Sequence, residues 1–319
     1  MQTDQSRSVL VGSLCMLLAA VCWGGMFPVA KSALTHLDPY ILTAVRYGVT
    51  APVMLAILWR LEGRAAFRPD GRALQLLLFG SAGFAGFGLL ALSGLRASTP
   101  AHGAILVALM PMLTVLLDAA ASRRLPPAHT RLSILMAFGG VALVVSNGHP
   151  AALLESPSAL ADGLILVGVL CWVVYTMGGR HFAGWSPLRY SALTVSFGVI
   201  AIGLCAVLAV AGGAAHLPTL ETLGDTAPQL AYMVIFASVV AVIGWNEGIR
   251  RVGPVNGVLF INFVPITAFT VQALRGAPFS GWELGGAGLV VAALTINNLL
   301  RQAPPPALRQ PPQACPQGS

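Results

Sequence analysis

The sequence predicts an all-α integral membrane protein with ten transmembrane helices, arranged as two inverted five-helix repeats. The composition, the spacing of the apolar runs and the residues that recur between the two halves support this fold class. Of the 319 residues, 56% are hydrophobic and only 9% are charged, whereas about a quarter of an ordinary soluble domain is charged. So few charges would not cover a soluble surface, and the high hydrophobicity excludes a disordered chain.

The ten predicted spans are the apolar runs long enough to cross a bilayer, which takes about 20 residues. In the first half they are 10–33, 39–59, 73–95, 100–121 and 130–147. In the second half they are 161–182, 187–211, 228–249, 254–274 and 281–300. The remaining segments are expected to be a cytoplasmic N-terminus (1–9), an external linker (148–160) and a disordered, Pro- and Gln-rich cytoplasmic tail (301–319).

The basic residues predict the orientation of the spans. Most arginines fall in alternate loops, within 60–72, 123–131, 180–189 and 250–251. Because cytoplasmic loops are enriched in Lys and Arg, both termini are expected to be cytoplasmic in a multi-pass protein of the cytoplasmic (inner) membrane. The net charge of +7 is not gathered on one polar face, so no nucleic-acid partner is expected.

Residues recur between the two halves in the same register. Six positions recur 154 residues later: Gln75, Gly94, Arg96, Pro100, Gly103 and Pro111 as Gln229, Gly248, Arg250, Pro254, Gly257 and Pro265. Each half, 10–147 and 161–300, holds five predicted spans, so the second half enters the membrane from the opposite side. Inverted repeats of this kind typically place a substrate site near the bilayer midplane, where the halves meet.

Two stretches carry a resemblance to a known family. Residues 20–28 read AVCWGGMFP, followed by Asp38 and Arg46, and residues 244–254 read GWNEGIRRVGP, leading into Asn262. Both resemble the EamA domain, and two such domains define a branch of the drug/metabolite transporter superfamily. The resemblance covers about 12–300 and implies membrane transport, since members are similar to amino-acid and metabolite exporters. Thr194 stands where the first repeat has Arg46, so the role of the arginine is not duplicated.

Six residues are candidates for a substrate site. We expect a central cavity lined by Trp23, Phe27, Trp172, Tyr175 and Asn262, with Arg46 at its outer mouth. A buried tryptophan N–H needs a partner, which a substrate oxygen or Asn262 would provide. Arg46 would anchor a carboxylate through its planar guanidinium group. The alternatives are packing for the aromatic residues, and for Arg46 a structural bond to backbone carbonyls or extension to the surface.

Other polar residues in the spans are predicted to be structural. Glu247 precedes Arg250 and Arg251 by three and four residues, a spacing that favours an ion pair on one helix face over a proton carrier. Asp118 is expected to pair with the two arginines that follow its span. No other acidic residue lies well inside a predicted span, which gives proton coupling little support. His102, near a span end, is expected to serve helix packing or a gate.

The glycine pairs Gly244/Gly248 and Gly281/Gly285 have the GxxxG spacing that permits close helix contact. Packing within one subunit explains them, so a monomer or a weak homodimer is expected.

The sequence lacks the motifs of the common enzyme classes. It contains no HExxH, GxSxG or Walker motif, so we expect no enzyme, cofactor or metal site. The expected function is export of a small polar metabolite by alternating access without ATP hydrolysis, with the lipid bilayer and the small-molecule substrate as partners. A membrane-embedded lipid-modifying enzyme and a non-transporting scaffold remain as alternatives. Substrate, direction, coupling and oligomeric state stay open.

The predicted topology can be tested by cysteine labelling. In a cysteine-free variant, single cysteines in 61–71 and 301–319 should resist an impermeant thiol reagent added outside intact cells, because these segments are expected in the cytoplasm. Cysteines in 148–160 and 212–227 should react, and they serve as the positive control. Reaction of a cysteine replacing Ala65 in intact cells would invert the orientation.

Overall fold

The computed structural model describes residues 2–149, 157–253 and 258–302, and within these ranges all regular structure is helical. In the first half the helices are α1 (Gln2–Ala33), α2 (Pro39–Glu62), α3 (Ala73–Ala97), the bent α4 (Pro100–Ala108 and Met110–Ser122) and α5 (Ala128–Ser146). In the second half they are α6 (Pro157–Gly178), α7 (Pro187–Ala211), α8 (Ala227–Val252), α9 (Phe260–Leu274) and α10 (Gly281–Gln302).

The helices agree with the predicted apolar runs, although the count of ten spans is not established. Eight described helices are long and apolar enough to cross a membrane, and the two parts of α4 together make a ninth. The helix α9 is apolar but shorter than the others, and residues 254–257 of the predicted ninth run lie outside the described part of the chain. The predicted linker 148–160 and tail 301–319 lie mostly outside it as well.

The long helices expose apolar side chains, as a lipid-facing protein requires. On α7, Ile200, Leu204 and Val207 are each about 60 to 66% exposed and recur at helical spacing. Because a bilayer solvates such a stripe, this surface supports a multi-pass membrane protein.

Among the described helices, the first residues of α9 belong to the 3₁₀ segment Val258–Asn262, and three others depart from regular α-geometry in their interior. Helix α4 bends by 41° at Leu109, where Pro111 has no N–H to donate to the Val107 carbonyl. Helices α3 and α8 contain π-helical segments, Ser81–Gly86 and Tyr232–Val240. The two segments overlap when the repeats are superimposed in the 154-residue register. Such wide turns occur frequently at functional sites.

Helix contacts are reciprocal between the two halves. Helix α1 packs on α8 and α9, and its counterpart α6 packs on α3 and α4. The pairs α2 with α7, α4 with α9, and α5 with α10 join equivalent helices. Exchanging the halves leaves this pattern unchanged, as a two-fold relation between the repeats requires. The halves therefore interleave rather than form separate bundles.

Glycines let equivalent helix pairs approach closely. A Cβ atom on Gly248 of α8 would lie 2.9 Å from the Gly12 carbonyl oxygen of α1. In the equivalent pair, a Cβ on Gly94 of α3 would lie 2.3 Å from the Ala161 carbonyl oxygen of α6. The prediction of close packing at Gly244/Gly248 is thus confirmed, since Gly244 also lies against the α1 backbone.

The prediction for Gly281/Gly285 is wrong, because a Cβ at either position would meet nothing within 4 Å. The close contact of α10 is made one residue later. A Cβ on Gly286 would lie 2.5 Å from the Gly140 carbonyl oxygen of α5, and a Cβ on Gly140 would lie 2.6 Å from that of Gly286. The spacing in the sequence identified the helix but not the face that packs.

Neighbouring glycines of α5 give a matched test of this contact. Gly140→Ala should lower the melting temperature of the purified protein, since its methyl group would overlap the α10 backbone and overpacking typically costs about 1–3 kcal/mol. Gly139→Ala, where a Cβ meets nothing within 4 Å, should leave it unchanged or raise it through the better helix propensity of alanine. Equal melting temperatures for the two variants would contradict the close α5–α10 contact.

Candidate functional site

A small cavity lies among α1, α2 and α3 and contains the Arg46 side chain in its wall. Its volume is about 10 Å³, room for roughly one water. The lining is otherwise apolar and consists of Met26, Phe27, Ala30, Phe87, Gly88, Ala91, Leu92 and Leu95. Of the six predicted site residues, Phe27 and Arg46 line this cavity. All lining helices belong to the first half, whereas the sequence predicts a cavity between the halves.

Arg46 is a buried cation with few partners. It is 4% exposed, and its Nε donates a hydrogen bond to Ser238 Oγ at 3.1 Å. Its guanidinium carbon lies 4.7 Å from the centre of the Tyr47 ring. Among the described residues no carboxylate forms an ion pair with it. Arg46 therefore neither reaches the surface nor bonds backbone carbonyls, the two structural alternatives for it.

Ser238 connects Arg46 to the irregular part of α8. Its hydroxyl donates to the Met233 carbonyl five residues earlier at 2.8 Å, within the π-helical segment. In the other half, Thr194 corresponds to Arg46, and it donates to the Tyr190 carbonyl of its own helix. Only the first half thus contributes a charge at this level. The sequence analysis missed Ser238, because a single serine in an apolar run carries no signal.

Trp172 and Tyr175 lie in an aromatic cluster beside the cavity. The Trp172 ring is 5.3 Å from that of Phe87, which lines the cavity, and 5.0 Å from that of Tyr175. The Tyr175 hydroxyl donates to Ser191 Oγ at 3.2 Å. The Phe87 ring thus lies between the Trp172–Tyr175 pair and the cavity next to Arg46.

Trp23 and Asn262 do not line the cavity. The Trp23 indole N–H donates to the Ala237 carbonyl at 3.0 Å, so its acceptor is the backbone and not Asn262, one of the two acceptors expected for it beside a substrate oxygen. The Trp23 ring packs on Trp245, 5.3 Å away. Asn262 donates to Thr295 Oγ1 at 3.3 Å, and its own oxygen is buried without a partner among the described residues. That oxygen has unused capacity for a hydrogen bond.

The acidic residues of the spans form ion pairs. Glu247 pairs with Arg250 and Arg251, each at 2.6 Å, which confirms the predicted pairs. Asp118 was expected to pair with Arg123 and Arg124 and instead pairs with Arg180 at 2.6 Å. Arg180 lies just beyond the end of α6, in the short 3₁₀ helix Gly179–Phe182, and this end is close to the end of α4. Within the described ranges, no group of three His, Cys, Asp or Glu side chains could hold a metal ion.

Glu247→Gln should leave any response to a proton gradient intact, because the carboxylate is held in ion pairs. Loss of these exposed pairs should lower the melting temperature only slightly, because ion pairs in contact with solvent contribute little to stability. Glu221→Gln is a suitable control, since Glu221 is exposed in the short helix Leu220–Asp225. A variant that folds normally and loses its proton response would identify Glu247 as a proton carrier.

Comparisons with known proteins agree with the membrane fold. The EamA-like transporter family model matches residues 10–146 and 159–299. The chain is 34% identical to the uncharacterized transporter YrdR of Bacillus subtilis, over 92% of this chain and 93% of the relative. It is 29% identical to the uncharacterized transporter YyaM of the same organism, over 90% and 93%. A solved crystal structure matches with a TM-score of 0.63 at 22% identity, covering 93% of this chain and 99% of the other, which shows the fold alone.

Proposed function

Because the chain belongs to the EamA-like transporter family, we propose that it is a secondary transporter that exports a small carboxylate-bearing metabolite, an amino acid or a related compound. In this proposal, the repeats 10–147 and 161–300 are inverted and alternate the access of a central site. Both termini lie in the cytoplasm, the cytoplasmic membrane is the site of action, and the unit is a monomer or a weak homodimer. Export is inferred from the resemblance to metabolite exporters.

The single observation that carries the proposal is the unpaired burial of Arg46. A charged group in the membrane interior is costly and normally faces a cavity with a partner. Arg46 lines a cavity, and its one hydrogen bond to the described residues is made by Nε, so within this part of the chain the two terminal nitrogens are left to bind a ligand. A guanidinium group binds a carboxylate through two parallel hydrogen bonds. A substrate carboxylate would thus provide the missing counter-charge.

The site must expand to accept a metabolite. A cavity of about 10 Å³ does not hold an amino acid, which favours an occluded state in which the helices close around Arg46. The hydrogen bond from Arg46 to Ser238 joins α2 to the π-helical segment of α8. π-Helical turns occur frequently at functional sites, and in this proposal α8 moves at this segment when a substrate engages Arg46.

The remaining predicted residues would complete the site in the expanded state. Trp172 and Tyr175 present an aromatic surface next to Phe87, against which the apolar part of a substrate packs. Trp23 of α1 contacts α8 of the other repeat, where its indole N–H donates to the Ala237 carbonyl. Asn262 supplies a free amide oxygen, an acceptor suited to a substrate ammonium group.

A panel of labelled metabolites, assayed for efflux from cells with and without the protein, should first identify a substrate. In proteoliposomes, Arg46→Gln should then raise the KM for that substrate by about 10- to 100-fold, since hydrogen bonds to charged groups contribute roughly 1.5–3 kcal/mol. Arg46→Lys should lie between, because it keeps the charge and loses the planar group.

Two controls separate anchoring from folding. Thr194→Val changes the equivalent position of the other half and should leave KM close to that of the wild type. The carboxamide analogue of the substrate should be transported equally by the wild type and by Arg46→Gln, since it has no carboxylate to bind. Normal transport of the acid by a folded Arg46→Gln protein would refute the role of Arg46.

A further inference from the structure

A histidine lies between two carboxylates where α3, α4, α6 and α10 meet, at helix ends predicted to face outward. His102 Nδ1 is 2.9 Å from Asp162 Oδ2, and His102 Nε2 is 3.8 Å from Glu283 Oε1. The Ser98 hydroxyl donates to the other Asp162 oxygen. The side chains of His102, Asp162 and Glu283 are 10%, 4% and 18% exposed, so the cluster is largely removed from water.

One further charge faces this cluster. The Lys31 ammonium group of α1 donates to the carbonyl oxygens of Leu95, Arg96 and Ser98 at 2.8–2.9 Å. Arg96 on α3 is already paired with Asp38 at 2.8 Å and is largely exposed. Among the described residues, the charged groups in and beside the cluster are therefore its two carboxylates and Lys31, which is bound to the backbone of the segment that carries Ser98. With both carboxylates ionised and His102 neutral, their charges sum to minus one.

A neutral His102 leaves one contact unfavourable. Neutral imidazole has one N–H and one lone pair. If the N–H is donated to Asp162, the lone pair on Nε2 faces the Glu283 carboxylate, which can only accept while it is ionised. One added proton, on the imidazole or on Glu283, supplies the missing donor and neutralises the cluster. At this burial the electrostatic gain is larger than it would be in water.

We infer that His102, Asp162 and Glu283 form a proton-binding site whose proton holds α10 against α4 and α6. Helix α10 packs mainly on α5 and only lightly on other helices, so this contact is a main polar tie between the α5–α10 pair and the rest. Release of the proton would place a lone pair against a carboxylate and let the helix ends separate. If the proposed function holds, these helix ends form the outer gate of the transporter. The proton site itself does not depend on that function.

Glu283 also caps its own helix, which sharpens the test. The Ser280 N–H donates to Glu283 Oε2 at 2.8 Å, and Ser280 Oγ accepts from the Glu283 N–H at 3.1 Å. This reciprocal arrangement works with either glutamate or glutamine. Glu283→Gln therefore keeps the cap and removes only the titratable charge.

The opening of these helix ends can be measured by the reaction of a buried cysteine. Ala101, next to His102, is 1% exposed. In a cysteine-free background in detergent, a cysteine replacing Ala101 should react with a thiol reagent several-fold faster at pH 8 than at pH 5, after correction for thiol ionisation with a free thiol. With Glu283→Gln added, the corrected rate should stay low at both pH values. Glu221→Gln should keep the wild-type response.

The melting temperature gives a second readout. A proton bound by the folded cluster stabilises the fold at low pH, and this stabilisation falls as the proton is released when the pH is raised from 5 to 8, the two values used for labelling. The wild type should therefore lose more stability over this range than Glu283→Gln or His102→Gln. The other five histidines contribute the same background to every variant, and His102→Gln serves if Glu283→Gln fails to fold.

Equal pH responses of the wild type and a folded variant, in labelling and in melting, would overturn the proton site. Both measurements work without a substrate, so they remain decisive if no metabolite is transported. Conversely, transport that depends on Arg46 alongside pH-independent labelling would reject the proton site and leave the proposed function standing.

Discussion

Close backbone contact at small residues is the constraint on which the rest of the structure depends. Lipid is as apolar as the helix surfaces, so helices in a bilayer associate through packing rather than through the hydrophobic effect. The contacts of Gly12 with Gly248 and of Gly94 with Ala161 each join a helix of one half to a helix of the other. Because the halves interleave in this way, Arg46 of the first half lies against a helix of the second.

The approximate symmetry makes its local violation informative. Arg46 bonds Ser238, whereas the residues that correspond to this pair, Thr194 and Phe84, are both uncharged, so one side of the centre carries a charge and the other does not. A metabolite with a carboxylate at one end and an apolar part at the other is itself asymmetric. The arrangement provides one cation, next to apolar and aromatic surfaces, with space left beside the guanidinium group.

The sequence predicts the helices of the fold more fully than it predicts the side-chain contacts between them. Apolar runs depend on the surrounding solvent, so they identified the helices, and Arg46 stood out as a charge in an apolar run. Side-chain partners depend on packing between distant segments. Asp118 pairs with Arg180, 62 residues away in the sequence, and His102 contacts Asp162, 60 residues away. Spacing along one helix cannot reveal such partners, and an uncharged Ser238 gives no signal of its own.

The titratable cluster is confined to one end of the molecule. Ser98 and His102 correspond to Val252 and Asn256 in the 154-residue register. For the first helix of each repeat the offset is 149 residues, the one that relates Trp23 to Trp172, and Asp162 corresponds to Ser13. Glu283 corresponds in the 154-residue register to His129. The opposite end therefore carries a histidine but has no carboxylate at any of these positions, and it lacks the arrangement of one histidine between two carboxylates. Alternating access requires that the two ends open at different times. A proton site at one end alone would make the opening of that end sensitive to the pH on its own side of the membrane, so one half of the cycle would respond to pH and the other would not.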